Sequence, residues 1–448
     1  MKKEGRTLSY FGGYREVLWL AYPIVITMVS RTIITFVDTA MVGRLGTFQM
    51  AAVGLAGILT WTMFSFFGGF LTCVNTFVAQ YHGADQPKIV AIVAWQGLYL
   101  AVGSYLLLLL ISRFTPYLFA LMKPSAEVQQ LGIAYAQIRL YGGIGIFISF
   151  ALSGFLLGIG DTRTPMWIEI IANLTNIIFD YLLIFGNFGF PRLEVSGAAI
   201  STVISGGVAA CIYLLIFLSR KTDLKFQIRT HFKPQLSQIR RLLRTGLPMG
   251  IQGMLDVGNF TVFSAMIGRM GNVELAANTA AITLLHTSFM PLFGISLAAT
   301  TLVGQYIGSG QLDYARKSGY TAIKISLAYT SLMAIIFFTI PSKLLALLTD
   351  DSNVVKLGSQ ILFLAAIFQL SDGCGIASSG ALKGAGDTFF TMIVGIIYGW
   401  LLFLPLAYWL GQVYGVPGAW TGATIYIILL GMTYFCRFLS NRWERIRI

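Results

Sequence analysis

The chain has 448 residues, of which 56% are hydrophobic and only 11% charged. Its mean hydropathy is +0.75, whereas soluble domains carry about 25% charged residues. These values exclude a soluble enzyme, a nucleic-acid binder and a disordered chain, and fit helices that face lipid and each other. The 31 Lys and Arg outnumber the 18 Asp and Glu, for a net charge of +13.

In chain order, apolar stretches of membrane-spanning length cover 17–41, 50–80, 89–112, 128–158, 164–187, 195–219, 241–270, 274–306, 318–341, 354–382, 388–411 and 416–438. The expected fold is therefore an all-α polytopic membrane protein with twelve transmembrane helices. The basic start (Lys2, Lys3, Arg6, Arg15) runs straight into the first span, so no cleavable signal is expected. Lys and Arg collect at one side. With both termini cytoplasmic, 21 of them fall in cytoplasmic segments, Lys383 among them, and 7 on the opposite side. That asymmetry predicts N-in, C-in topology, and it accounts for the net charge without nucleic acid. The four cysteines (Cys73, Cys211, Cys374, Cys436) form no CxxC pair and read as small core residues.

The strongest feature is an internal repeat. Met41-Val42-Gly43-Arg44-Leu45-Gly46 matches Met266-Ile267-Gly268-Arg269-Met270-Gly271, and Pro23 matches Pro248, both shifted by 225. Thr76 to Tyr81 matches Thr301 to Tyr306 at the same shift. Gly160-Asp161-Thr162 matches Gly386-Asp387-Thr388, shifted by 226. Each half holds six spans, so the second half starts on the same side as the first. The halves are parallel repeats, two six-helix lobes related by a pseudo-two-fold axis along the membrane normal. The expected division is an N-lobe over 1–219, a cytoplasmic linker over 220–244 and a C-lobe over 245–448. No GxxxxGK[ST] loop, nucleophile constellation or metal-ligand spacing appears in the sequence. The reading is of a secondary transporter, with no enzyme activity and no cofactor beyond a coupling ion.

These motifs, together with Phe36-Val37-Asp38-Thr39-Ala40, Ala51 to Ala56 and Val78-Ala79-Gln80-Tyr81, resemble the multidrug and toxic compound extrusion (MATE) family over nearly the whole chain. The resemblance implies two six-helix lobes around a central cleft that opens alternately to the two sides. It also implies export of cationic amphipathic compounds, driven by entry of H⁺ or Na⁺. Localisation to the cytoplasmic (inner) membrane as a monomer is the matching expectation. A lipid-linked precursor flippase of the same superfamily is the alternative. It would need a cavity rich in Arg and Lys, whereas five acids and three basic residues fall inside spans.

Those five acids are Asp38, Glu169, Asp180, Asp256 and Asp372. A charge at mid-bilayer costs about 2.5–3.5 kcal/mol or more, so such residues persist where a partner, a cavity or a bound cation offsets that cost. Asp38 lies two helical turns after Arg31, on one face, so a packing ion pair Arg31–Asp38 is the plain reading beside a cation-binding one. Asn176 and Asp180 share a face at i, i+4. A carboxylate plus an amide oxygen suits Na⁺ or a proton relay, with Ser201 and Thr202 as possible additions. The resemblance makes Asp38, Asn176 and Asp180 the N-lobe cation site, with Na⁺ a candidate ligand there. It makes Asp256 and Asp372 the C-lobe ligands and Pro23 the hinge of the first span. Glu169 reads as an interfacial first-turn acid, Arg139 and Lys324 as structural, and Asp161 and Asp387 as helix N-caps. By repeat position Asp256 corresponds to Arg31, Asp38 to Phe263 and Asp372 to Ile146, so the acids sit outside the duplicated scaffold. Substrate contact is expected from Met28, Trp61, Phe64, His286, Phe289, Met290 and Phe368.

Overall fold

The computed structural model describes residues 11–446. Lys2, Lys3, Arg6 and Arg447, counted above on the cytoplasmic side, lie outside the described residues. The helices are α1 (Tyr14–Gly43), α2 (Thr47–Leu71), α3 (Cys73–Gly83), α4 (Pro87–Ser112), α5 (Thr115–Met122), α6 (Ala126–Tyr141), α7 (Ile144–Gly158), α8 (Arg163–Phe185) and α9 (Glu194–Phe217). They continue as α10 (Arg220–Phe226), α11 (Leu236–Gly268), α12 (Asn272–Gly308), α13 (Leu312–Thr339), α14 (Pro341–Ala346), α15 (Ser352–Ala385), α16 (Thr388–Ile396) and α17 (Leu404–Leu439).

Among the described residues nine helical stretches are long and apolar enough to cross a membrane. The pair α6 and α7, bent by 47° at Gly142-Gly143, supplies a tenth. The 52-residue stretch Thr388–Leu439 breaks at Gly415, whose φ of 66° interrupts the helix, so it holds two spans. With α11, of 33 residues, the count reaches the twelve read from the sequence. Large apolar side chains such as Leu110, Leu215 and Leu401 are 62%, 72% and 71% exposed, which water would penalise and lipid does not.

The repeat is legible helix by helix. α1 and α11 end at Gly43 and Gly268, and α2 and α12 begin at Thr47 and Asn272. Gly160 and Gly386, in the repeated Gly-Asp-Thr, both take positive φ (84° and 89°), a conformation that glycine adopts freely. Their neighbours diverge. Asp161 accepts from the N–H and hydroxyl of Thr164 (3.0 and 2.6 Å), as a cap should. Asp387 instead pairs with Arg437 at 2.8 Å and makes no capping bond. Cys73 is buried, but Cys211 and Cys436 are exposed, so the reading of all four as core residues does not hold.

The chain packs as two compact units, one of Ile26–Gly250 and one of the residues up to Val25 with Ile251–Ile448. The boundaries fall two residues after Pro23 and Pro248, inside α1 and α11. The physical reason is visible in the packing of the first turns. In the unit containing the second half, Glu16 accepts from Tyr306 (2.7 Å) and Thr321 donates to the Gly12 carbonyl (2.7 Å). In the other unit, Gly246 and Gly250 bring α11 against the carbonyls of Phe70 and Phe66, where a Cβ would lie 2.7 and 2.6 Å away. Only glycine allows that approach. Each proline-bearing helix therefore gives its start to one unit and its remainder to the other.

Candidate functional site: a carboxylate cluster on two parallel helices

In the unit of Ile26–Gly250, α1 lies beside α8 with both chains running the same way. Glu169, Asn173, Asn176 and Asp180 recur at intervals of four, three and four residues, so they form one stripe of α8. Each meets α1. Arg31 donates from Nε and a terminal nitrogen to Glu169 Oε2 (3.2 and 3.1 Å). Asn173 donates to Ser30 Oγ (2.7 Å). Two turns on, Asn176 Nδ2 donates to Asp38 Oδ1 (3.3 Å) and Asp180 Oδ2 (2.6 Å). The Asp38 and Asp180 carboxyl groups also meet each other directly.

The structure thus brings together Asp38, Asn176 and Asp180, and it changes the roles around them. Arg31 is paired with Glu169, not with Asp38. Glu169 is this partner, only 14% exposed, rather than a first-turn interfacial acid. The Asn176 carbonyl oxygen does not face the acids, because it accepts from Ser205 (3.2 Å), and the amide N–H₂ does the bridging. Thr202 turns its hydroxyl back to the Ala198 carbonyl (3.0 Å), while Ser201 bonds the Gly197 carbonyl (2.7 Å) and reaches Asp180. Ser205 was missed, although it is one turn after Ser201 on the same face. Asp180 is 1% exposed and its Oδ1 has no hydrogen-bond partner.

Two adjoining carboxyl groups, Asp180 buried and Asp38 half-buried, repel when both are ionised. One positive charge between them removes that cost, whether a shared proton or a metal cation. Chemically, the arrangement is able to hold one small cation.

In the other unit, Asp256 on α11 and Asp372 on α15 both lie within electrostatic reach of Tyr426. Lys383, counted above on the cytoplasmic side, belongs to the last turn of α15 and sits within electrostatic reach of Asp256. Asp372 Oδ2 is buried without a hydrogen-bond partner. Arg139 lies over the rings of Phe64 and Tyr135 (5.9 and 5.6 Å), and Lys324 is exposed on α13.

The aromatic and Met positions expected to touch substrate divide between the units and differ in exposure. Trp61 is 53% exposed, His286 is exposed, and Met28, Phe289 and Met290 are half-buried. Phe64 and Phe368 are core side chains, 2% and 0% exposed. Phe64 packs edge-on to Phe147, and Phe368 belongs to the core of its unit.

The MatE family model matches residues 23–182 and 248–409, one match per half. A probable multidrug resistance protein NorM of Thermotoga maritima is 30% identical over 435 residues, covering 96% of this chain and 93% of that protein. The multidrug resistance protein MdtK of Edwardsiella ictaluri is 29% identical over 97% of this chain and 96% of its own length. A solved outward-facing multidrug resistance MATE family transporter of the MOP superfamily shares the fold, with a TM-score of 0.88 at 22% identity over the whole of both chains. Both halves of the chain, and the duplicated motifs that each carries, thus belong to the MatE family of transporters.

Proposed function

We propose that the chain is a secondary active multidrug exporter of the cytoplasmic membrane, which expels cationic amphipathic compounds against the entry of H⁺ or Na⁺. It works as a monomer with both termini in the cytoplasm. The observation that carries this reading is the pair of touching carboxyl groups, Asp38 and Asp180, bridged by the Asn176 amide within an apolar unit. The names of the relatives, multidrug resistance proteins, support the substrate class. The flippase reading is weaker: Arg31 is already neutralised by Glu169, and the site is built of carboxylates.

Of the two ions the proton is favoured by the amide, which presents N–H to the carboxyl pair. A Na⁺ ion needs oxygen ligands, and the Asn176 oxygen is engaged by Ser205. In the proposed cycle, protonation lets Asp38 and Asp180 share a hydrogen and draws α1 onto α8. Proton loss leaves like charges that push the upper part of α1 away, with Pro23 as the hinge that lacks a backbone donor. Asp256 and Asp372 serve the other unit in the same sense.

The test is transport in proteoliposomes with ΔpH and ΔpNa imposed separately. The wild type is expected to export a cationic dye under ΔpH. Asp38→Asn should reduce the rate by at least tenfold while leaving yield and dye binding intact. Undiminished export by Asp38→Asn would refute the coupling role of the cluster, and export driven by ΔpNa alone would assign the ion to Na⁺.

A further inference from the structure

The stretch of α8 that bears Asn173 and Asn176 has a counterpart in the second half. Shifted by 225, it falls on Ile397–Phe403, the segment between α16 and α17, which is wound as a π-helix. A proline explains the slip. Pro405 has no N–H for the carbonyl four residues before it, so the ladder widens just upstream. The counterpart of α1 is α11, and the two contacts are built alike, helix beside helix in parallel.

Along α11, Gln252, Asp256, Asn259 and Phe263 form one stripe, at intervals of four, three and four residues. Opposite them stand Gly395, Gly399 and Phe403. Gln252 lies over Gly395, and Asn259 Nδ2 occupies the space of a Gly399 side chain, 2.2 Å from where its Cβ would be. Phe263 meets Phe403 ring to ring at 5.1 Å. Phe403 in turn stacks on Tyr426 (4.9 Å, 14°), which lies within electrostatic reach of Asp256 and Asp372.

Within this seam the polar accounts do not balance. Asn259 is 1% exposed, yet neither its Nδ2 nor its Oδ1 has a hydrogen-bond partner. Trp400 Nε1, in the same π-turn and with its ring against Gly258, is also buried without one. Gln252 gives its N–H₂ to Tyr434 (3.4 Å), but its Oε1 is orphaned. An unmet buried polar group costs about 1–3 kcal/mol, and native interiors rarely leave several together. In the first half the asparagines of the equivalent contact, Asn173 and Asn176, are paired side chain to side chain; here Asn259 is not.

We propose that the π-turn of Ile397–Phe403 and Asn259 form a buried hydration site, and that it is the relay through which a proton reaches Asp256. The ligand class follows from the donor and acceptor inventory. Asn259 must both donate and accept, and Trp400 must donate. Water meets all three demands, whereas a metal cation would leave both N–H donors unmet. Buried water typically makes two to four hydrogen bonds to such groups. Asn259 lies one turn beyond Asp256 on the same face, so water held there is positioned to pass a proton along the stripe. The relay rests on the exporter reading above; the hydration site does not.

The two parts are tested separately. X-ray radiolytic labelling of the full-length protein in nanodiscs generates hydroxyl radicals from ordered internal water, read residue by residue by mass spectrometry. Trp400 is expected to label well above Trp420, which is 1% exposed and bonded to Asn278. In Asn259→Leu, Trp400 labelling should fall at least threefold towards the Trp420 level, while Trp409, 64% exposed, is unchanged. Equal Trp400 labelling in wild type and Asn259→Leu overturns the hydration site. Should Asn259→Leu fail to fold, Gly399→Ala, whose methyl displaces the Asn259 amide, gives the same readout. For the relay, ΔpH-driven export by Asn259→Leu should be slowed at least threefold with dye KM unchanged and the pH profile displaced. Normal export with a normal profile overturns the relay. If the wild type shows no cation-driven export, the exporter reading falls while the labelling result stands.

Discussion

Arg31 and Asp38 illustrate how little spacing alone decides. Seven residues apart on one helix, they share a face, and a pair between them is the natural reading. Each instead finds its opposite on α8, Arg31 in Glu169 and Asp38 in the Asn176 amide. The Arg31–Glu169 pair is the more robust of the two bonds, since both donors reach one carboxylate oxygen. Loss of the acceptor in Glu169→Ala should cost about 1.5–3 kcal/mol, the range for hydrogen bonds to charged groups. A lower thermal midpoint in detergent would report it, with the larger part recovered in the charge-reversed double variant Arg31→Glu/Glu169→Arg. No recovery would mean that the pair contributes packing rather than charge complementarity. Asp38, Asn176 and Asp180 stand out in the sequence as acids and an amide inside apolar runs, but their grouping comes from the family resemblance. The direction in which the amide turns was not legible there, because it depends on Ser205 from α9.

At the scale of elements, close helix contact depends on glycines whose partners are backbone. Gly375 in α15 faces Gly431 in α17, and a Cβ at 375 would lie 2.6 Å from the Gly431 Cα. Backbone cannot rotate away as a side chain can, so Gly375→Ala forces the two helices apart. The expected cost is about 1–3 kcal/mol, the usual range for overpacking. Gly207→Ala in α9, where nothing lies within 4 Å, should leave the melting temperature unchanged or raise it slightly through helix propensity. A Gly375→Ala melt equal to that of Gly207→Ala would show the α15–α17 contact to be slack. Helix extents were readable from hydropathy to within several residues. The bend at Gly142-Gly143 and the π-turn before Pro405 were not, because each is a compromise between a local backbone preference and the neighbouring helix.

For the whole molecule, the asymmetry of Lys and Arg predicts which side each connection faces. A cysteine at Lys225, in α10, should react with a membrane-impermeant maleimide only in inverted vesicles. A cysteine at Asn187, between α8 and α9, should react in intact cells. The reverse pattern would overturn the orientation. The amino-acid sequence already encodes the class of the protein, the number of spans and the duplication. These follow from hydropathy summed over about 20 residues and from identity at a fixed offset, neither of which needs long-range contact. It also marked the charged residues that lipid cannot tolerate alone. Which buried charge meets which partner, and the division of the units two residues after Pro23 and Pro248, emerge only once the helices are packed. Partner choice among buried polar groups depends on angstrom distances between helices far apart in sequence, and periodicity along one helix carries no information about those distances.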